Sequence, residues 1–356
     1  ILCLKVLLLI HSFLPSQNLN FKGQFNTSVL TSNDSPDNWH THESILGYFP
    51  TLSLKKETST NKLFYFEWAY NLERYYVGDS LYNNNENNHR LWIRYSYDKI
   101  EARFGLQKIV FGPTQILRPL SWFDTFDLKD PTGQTNGIEA LRLRWFPSNN
   151  IGLSSWIINN ELDTLTFGGR GEFTTSLGDF GFTYHKDPSK SRQLIGQVGS
   201  PIINSHQRIA FDYRFDGFIG FWNESAIIKS NTSNISLISI GADYTLQVFN
   251  GILIMTESMY IQNKIKNLKS NQTLSAFMAS LPIGMIHQIM YISQIEWKKD
   301  KTYQYLRWSS TYDAYSLNII VSINPKRKQY DIPSESLPKS LSNFGTGIQF
   351  MFIYNH

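Results

Sequence analysis

Cysteine is almost absent from this chain: its 356 residues contain one, Cys3. A single cysteine cannot form an intrachain disulfide, which excludes a disulfide-framed secreted domain. Charged residues make up 17% of the chain, where soluble domains have about 25%. The sequence also has no run of about 18 apolar residues, which excludes a protein that crosses a membrane as a helix.

Aromatic residues, by contrast, are abundant: they make up 15% of the chain, with 24 Phe, 19 Tyr and 9 Trp. The mean hydropathy is nevertheless negative, at −0.29. Few charges, many aromatics and negative hydropathy together are typical of a transmembrane β-barrel, whose strands alternate polar and apolar residues. The net charge of +4 accompanies no motif that reads nucleic acid, so we expect no nucleic-acid partner.

The first residues form a short apolar segment, Ile1 to Leu14, followed by Pro15-Ser16-Gln17. It is too short to span a bilayer and is predicted to be a signal peptide, residues 1–17, with a truncated n-region. A buried first strand or helix is the alternative. Residues 18–356 are then predicted to form one outer-membrane β-barrel.

Period-2 alternation is clearest in RLWIRYSYDKIEARFGLQ, Arg90 to Gln107. Successive side chains of a strand leave on opposite sides, so one face here is charged and the other apolar and aromatic. We expect the apolar face to contact lipid and the charged face to line a lumen. The residues predicted to point outwards in this and similar strands are Phe66, Trp68, Tyr95, Phe211, Tyr213 and Phe350.

Short and long connections alternate along the chain, as in barrels with short turns at one end and longer loops at the other. This pattern predicts an all-β, single antiparallel transmembrane barrel of about 16–18 strands. A large soluble β-sandwich or solenoid is the alternative. Tight turns are expected at 98–99, 147–150, 178–179, 216–217, 250–251, 282–284 and 311–313. Long links are expected at 77–89, 108–137, 186–206, 229–234, 264–272, 298–302 and 324–343.

The long link 108–137 is too apolar to be a solvated loop. We expect it to fold into the lumen as a constriction or plug; an external cap on the barrel rim is the alternative. The residues assigned to this constriction loop are Arg118, Trp122, Phe123, Asp124 and Asp130.

Arginines repeat on the predicted inner face of three consecutive strands. Guanidinium groups pair with carboxylate, phosphate and sulfate, so the sequence predicts an anion-attracting patch in the lumen. A structural salt-bridge network across a filled lumen is the alternative. The predicted patch consists of Arg90, Arg94, Arg103, Arg142, Arg144 and Glu101.

Enzyme motifs are weak in this chain. The histidines lack metal-ligand spacing and no G-x-S-x-G is present, so we expect no catalytic residues, no metal site and no cofactor. The predicted function is a porin-like channel for passive passage of small anionic or polar solutes. The alternative is a polysaccharide-binding or capsule or exopolysaccharide assembly barrel with a plugged lumen. Its sugars would stack on lumen aromatics such as Tyr65, Trp92, Tyr303 and Tyr305.

The segment from Arg90 to Phe146 resembles part of poorly characterised porin-like outer-membrane barrels of the Bacteroidetes. In those, a strand ending in G-x-Q-x-x-x-x-G precedes R-P-x-x-W-F-D and then D-P. The resemblance implies a barrel fold in the bacterial cell outer membrane, with the lipid bilayer as partner. The aromatic terminal strand indicates recognition by the barrel assembly machinery. The matching residues are Gly105, Gln107, Gly112, Arg118, Pro119, Trp122, Phe123, Asp124, Asp130 and Pro131.

Overall fold

The computed structural model describes residues 17–35, 40–59, 61–160, 162–189, 192–194, 201–203, 205–266, 268–326 and 344–356. The predicted signal segment 1–17 lies outside these ranges except for Gln17, as does most of link 324–343. Within the described ranges there is no helix long and apolar enough to cross a membrane.

The described residues form twenty strands. Alternating apolar and polar residues, with many β-branched and aromatic side chains, favour this extended conformation. The strands are β1 (Gln17–Ser32), β2 (His42–Ser59), β3 (Lys62–Val77), β4 (Ser80–Tyr97), β5 (Ile100–Gln107), β6 (Ile138–Ser148), β7 (Ile151–Asn159), β8 (Leu165–Thr175), β9 (Gly178–Asp187), β10 (Arg192–Leu194), β11 (Pro201–Ile203), β12 (His206–Asp216), β13 (Gly220–Ser230), β14 (Ser233–Leu246), β15 (Ile252–Ile265), β16 (Leu268–Ile283), β17 (His287–Glu296), β18 (Lys301–Thr311), β19 (Tyr315–Ile323) and β20 (Thr346–Asn355).

Eighteen of these strands close into one antiparallel barrel. Each pairs with its neighbours in sequence, β9 pairs with β12 across the β10–β11 hairpin, and β1 closes the sheet by pairing with both β2 and β20. Because the sheet closes, it has no edge strand. Its backbone N–H and C=O groups therefore pair within the barrel, as they must in a bilayer that offers no hydrogen-bond partners. The predicted all-β barrel is confirmed, at the upper end of the expected strand number, and a sandwich or solenoid is excluded.

The two faces of the barrel wall follow the predicted alternation. On β4, Ile93 and Tyr95 are 43% and 49% exposed on the outside, whereas Arg94 ion-pairs inside with Glu101. Trp68 and Phe350 are also exposed, Phe66 pairs with Ile93, and Phe211 and Tyr213 contact the rings of the outward Phe182 and Phe180. The predicted register is therefore correct.

Four connections predicted as long links are strands or tight turns instead. Link 77–89 is a turn at Gly78-Asp79 followed by β4, and Asn83–Asn88 pair with β3. Link 264–272 continues β15 and β16 on both sides of Lys266, and links 229–234 and 298–302 are tight turns. Asparagine-rich hairpin ends have no apolar face, because they extend beyond the lipid, and so resemble loops in sequence.

The lipid-facing register leads to a stability prediction. We expect Ile93→Arg to lower the free energy of unfolding by about 2–4 kcal/mol, the cost of a basic side chain near the bilayer midplane. Ser96→Arg is the matched control, because Ser96 lies on the inner face of the same strand and pairs with Glu101. Urea unfolding in lipid vesicles measures both; equal losses would show that β4 does not present Ile93 to lipid.

Candidate functional site

Loop 108–137, between β5 and β6, runs through the barrel interior. Its Thr114 hydroxyl donates to Glu224 of β13, 2.5 Å away, and its Gln134 side chain donates to Gln24 of β1 at 2.8 Å. From β18, the Tyr305 hydroxyl donates to the Lys129 carbonyl at 2.6 Å. The loop thus reaches inner-wall side chains on several sides of the barrel, and its position differs from that of a cap on the rim.

One side of this loop is apolar and packs against the inner wall from β6 to β17. The wall there presents inward-facing aliphatic, methionine and tryptophan side chains such as Trp156, Leu237 and Met259. Burying each large side chain stabilises the loop by about 1.5–3 kcal/mol. The loop residues buried in this contact are Ile109, Phe111, Ile116, Leu117, Leu120, Trp122 and Phe123.

Two buried glutamates bind the loop backbone. Glu224 accepts hydrogen bonds from the N–H groups of Thr114 and Leu120, at 3.2 and 2.5 Å, besides the Thr114 hydroxyl. Glu257 of β15 is 1% exposed and accepts from three consecutive loop N–H groups, at 2.7 to 3.0 Å. These carboxylates satisfy loop donors that would otherwise be buried without partners.

Most of the residues assigned to the constriction loop have structural contacts. Arg118 and Asp124 form a buried two-pronged pair, with N–O distances of 2.5 and 3.1 Å. Trp122 and Phe123 lie against the wall beneath the guanidinium of Arg208, 5.6 and 5.8 Å from their ring centroids. The fifth residue, Asp130, lies on the other, polar side of the loop.

A β-bulge on β4 places two successive side chains inside the barrel. The pairing with β3 shifts register between Ala69 and Tyr70, so that His89 is the extra residue on β4. Both His89 and Arg90 are 9% exposed. Arg90 donates to the carbonyls of His89 and Thr135, both at 2.5 Å, and so binds the returning arm of the loop.

The remaining predicted arginines meet in one row. Arg94, Arg103 and Arg142 are direct cross-strand partners on β4, β5 and β6, and Arg144 is the partner of Glu101. Glu101 lies 3.6 Å from Arg94 and 3.4 Å from Arg103. We call Arg94, Arg103, Arg142 and Arg144 the arginine row; Arg90, in the loop contact, is not part of it.

Aromatic rings support the arginine row. Tyr65 and Trp92 stack at 5.2 Å, with Arg94 5.3 Å from the Tyr65 ring centroid and Arg103 4.4 Å from that of Trp92. Gly105 is the cross-strand partner of Trp92. It has a φ of 115°, and a Cβ there would lie 2.2 Å from the Leu91 carbonyl oxygen, so a larger residue is excluded.

The inner wall carries more acid than the sequence indicated. Glu172 lies 4.0 Å from Arg144 and 2.9 Å from Arg170, and the latter also pairs with Asp212 at 2.6 Å. Among the described residues Arg142 has no carboxylate within 4.0 Å. The net positive charge of the row is therefore smaller than expected and centred on Arg142. Inner-wall acids missed in the sequence are Glu43, Asp187, Glu224, Asp243, Glu257 and Glu296.

A cavity of about 490 Å³ separates the polar side of the loop from the wall formed by β1–β4 and β18–β20. Asp130 and Glu73 face it from the loop and from β3. Burial is the main cause that raises the pKa of the Asp130 carboxyl, against hydrogen bonds from Thr132. Arg94, the member of the arginine row on β4, lies nearer the Asp98-Lys99 turn than the cavity residues Asn85 and His89 of the same strand do.

A closed barrel with an apolar outer face and a loop inside it is the fold of outer-membrane porins. OmpT, an outer membrane protein of Vibrio cholerae, matches with a TM-score of 0.53 and 9% identity, covering 97% of this chain and 99% of that one. A mutant porin of Rh. blastica matches with a TM-score of 0.50 and 10% identity, covering 95% and 100%. These similarities establish the fold alone.

A third structure, the anion-selective porin from Comamonas acidovorans, has a TM-score of 0.49 and 15% identity, covering 96% of this chain and all of that one. That similarity is too low to bear on selectivity. No protein-family model matches the chain, and no curated protein matches its sequence. Within the described ranges, no group of three or more His, Cys, Asp or Glu side chains could hold a metal ion.

Proposed function

We propose that this chain is a porin-like channel of the bacterial outer membrane, for passive passage of small anionic or polar solutes. The observation that carries the proposal is the polar space left between loop 108–137 and the wall of β1–β4 and β18–β20. Barrels of 16–18 strands leave an aqueous channel, and here loop 108–137 occupies part of it. We also propose that the aromatic strand β20 directs the chain to the barrel assembly machinery.

The arginine row supports a preference for anions. Its guanidinium groups share one face, Arg94, Arg103 and Arg142 at one level of the wall and Arg144 at the next, and Arg142 lacks a carboxylate within 4.0 Å among the described residues. In a narrow space between low-dielectric walls, even a small excess of positive charge raises the local anion concentration. The pairing of Arg94 and Arg103 with Glu101 limits the expected preference to a modest one.

One observation favours the alternative, a polysaccharide-binding or assembly barrel with a plugged lumen. The loop contacts β1, β4, β13, β15 and β18, which lie on several sides of the barrel. A loop held on several sides is typical of a plug as well as of a constriction.

Planar-bilayer recording distinguishes the two functions. The purified protein, shown to be folded by its heat-modifiable migration on a denaturing gel, should give stepwise ion currents if it is a porin-like channel. Empty bilayers and boiled protein serve as controls. Folded protein that inserts without producing current would reject the channel and favour the plugged barrel.

A further inference from the structure

The 490 Å³ cavity beside the loop is rich in side-chain amides. An amide offers both donors and acceptors, which matches the hydroxyl group of a sugar. The cavity is within the range of about 300–1,000 Å³ usual for small-molecule sites. The amides that line it come from four strands and the loop, and are Asn26, Asn71, Asn85, Gln134, Asn136 and Gln349.

Two polar atoms of this lining are buried without a well-formed hydrogen bond. Asn71 Oδ1 and His89 Nε2 make no hydrogen bond of good geometry in the described part of the chain, and the Gln134 side chain of the loop interacts with the His89 imidazole. His89 is held in place by the β4 bulge and by an edge contact with the Phe49 ring, whose centroid is 5.1 Å from its own. Buried polar atoms without partners are uncommon in folded proteins, and a ligand with hydroxyl groups would satisfy both.

The charge of the cavity disfavours the binding of acidic ligands. Three carboxylates line it, those of Glu73, Asp127 and Asp130, against one lysine, Lys129. Asp127 lies 3.7 Å from the Lys129 ammonium group, so this pair is largely neutral. Glu73 and Asp130 remain, and carboxylates accept hydrogen bonds from hydroxyl groups but repel anions.

Aromatic side chains complete the site. The rings of Phe49, on β2, and Tyr305, on β18, both line the cavity. The C–H face of a pyranose ring is apolar and packs on such rings, while its hydroxyl groups point sideways to hydrogen-bonding partners. An arrangement of amides, carboxylates and rings thus fits one chemical class of ligand.

We propose that this cavity binds a saccharide that carries no acidic group. The residues that bind it are Asn71, Glu73 and Asn85 on the β3–β4 hairpin, opposite Asp130 and Gln134 of the loop. The arginine row is not part of this site, because its members lie on β4, β5 and β6, nearer the Asp98-Lys99 turn. Binding requires no ion current, so the saccharide site is independent of whether the barrel conducts.

Isothermal titration calorimetry on the full chain tests the proposal, in a detergent without a sugar headgroup. The probes are maltotriose, cellotriose and xylotriose as neutral saccharides and trigalacturonate as the acidic one. We expect at least one neutral probe to bind and trigalacturonate to bind at least about tenfold more weakly. Asn71→Ala should weaken the neutral probe roughly five- to tenfold, as expected for lost hydrogen bonds.

Arg74→Gln is the matched control, because Arg74 neighbours Glu73 on β3 but is exposed on the outer face. It should leave binding unchanged, and Glu73→Gln should reduce the discrimination against trigalacturonate. The proposal is overturned if no neutral probe binds, if trigalacturonate binds equally well, or if Asn71→Ala has no effect. A protein that conducts but binds no saccharide rejects this site alone, and one that binds without conducting rejects the channel.

Discussion

Deleting Val110–Leu128 and joining the ends with a short Gly-Ser linker should raise single-channel conductance several-fold. The segment covers the inner wall from β6 to β17, and a barrel of this size without it leaves an open aqueous lumen. The barrel itself should persist, because its strands pair with one another independently of the loop. Recording in planar bilayers at high salt measures the change, after heat-modifiable migration confirms folding.

A double substitution distinguishes the effect of anchoring the loop from the effect of the volume that the loop occupies. Glu224→Gln with Glu257→Gln retains the size of both side chains but places NH₂ donors and weaker acceptors opposite the loop N–H groups. We expect a noisier and higher conductance than that of the unmodified protein, though lower than that of the deletion variant. The control is Glu296→Gln, an inner-wall glutamate that bonds Gln272 rather than the loop backbone.

Unchanged conductance in the folded deletion variant would show that the loop does not limit passage.

Arg142→Gln should reduce anion preference more than any other single change in the arginine row. Arg94 and Arg103 share Glu101, whereas Arg142 has no carboxylate within 4.0 Å among the described residues. Removing Arg142 therefore removes the least neutralised charge. The reversal potential in a KCl gradient should shift towards zero, and more at 0.1 M than at 1 M salt, since screening acts over about 10 Å and about 3 Å respectively.

Arg214→Gln is the matched control for this substitution. Arg214 also faces the lumen, yet it lies 2.7 Å from Asp216 and 3.7 Å from Asp243, so its charge is already balanced. Arg214→Gln should change the anion preference much less than Arg142→Gln does. If the unmodified channel prefers cations, or if both substitutions act equally, the arginine row is structural and does not select solutes.

The barrel could be predicted from sequence because lipid imposes a strict rule on every strand. A one-residue shift in register would place arginines such as Arg94 in lipid, so the period-2 pattern determines which side chains of β4 to β6 face lipid. The rule applies only to the part of each strand that lies within the bilayer. Asn83–Asn88 continue the strand with no apolar face, and for that reason the extended hairpin was predicted to be a loop.

The interior is less predictable than the wall, because its contacts are distant in sequence. Glu224 and Glu257 occupy ordinary inward positions, and nothing local shows that they bind the loop rather than solvent. The bulge at His89 is a single extra residue. Because of it, Arg90 binds the loop instead of joining the predicted anion-attracting patch. Period 2 specifies which way a side chain points, but it does not specify what lies opposite.

The glutamate anchors of the loop also constrain the order in which the molecule folds. Thr114 and Glu224 are 110 residues apart, and Gln115 and Glu257 are 142 apart. The hairpin of β4 and β5 joins near neighbours, but the loop that follows has no docking surface until β13 and β15 are in place. Contacts between such distant residues form late and slowly. A chain halted before β13 would therefore expose the whole apolar side of the loop, which makes the half-built barrel the stage most prone to aggregation.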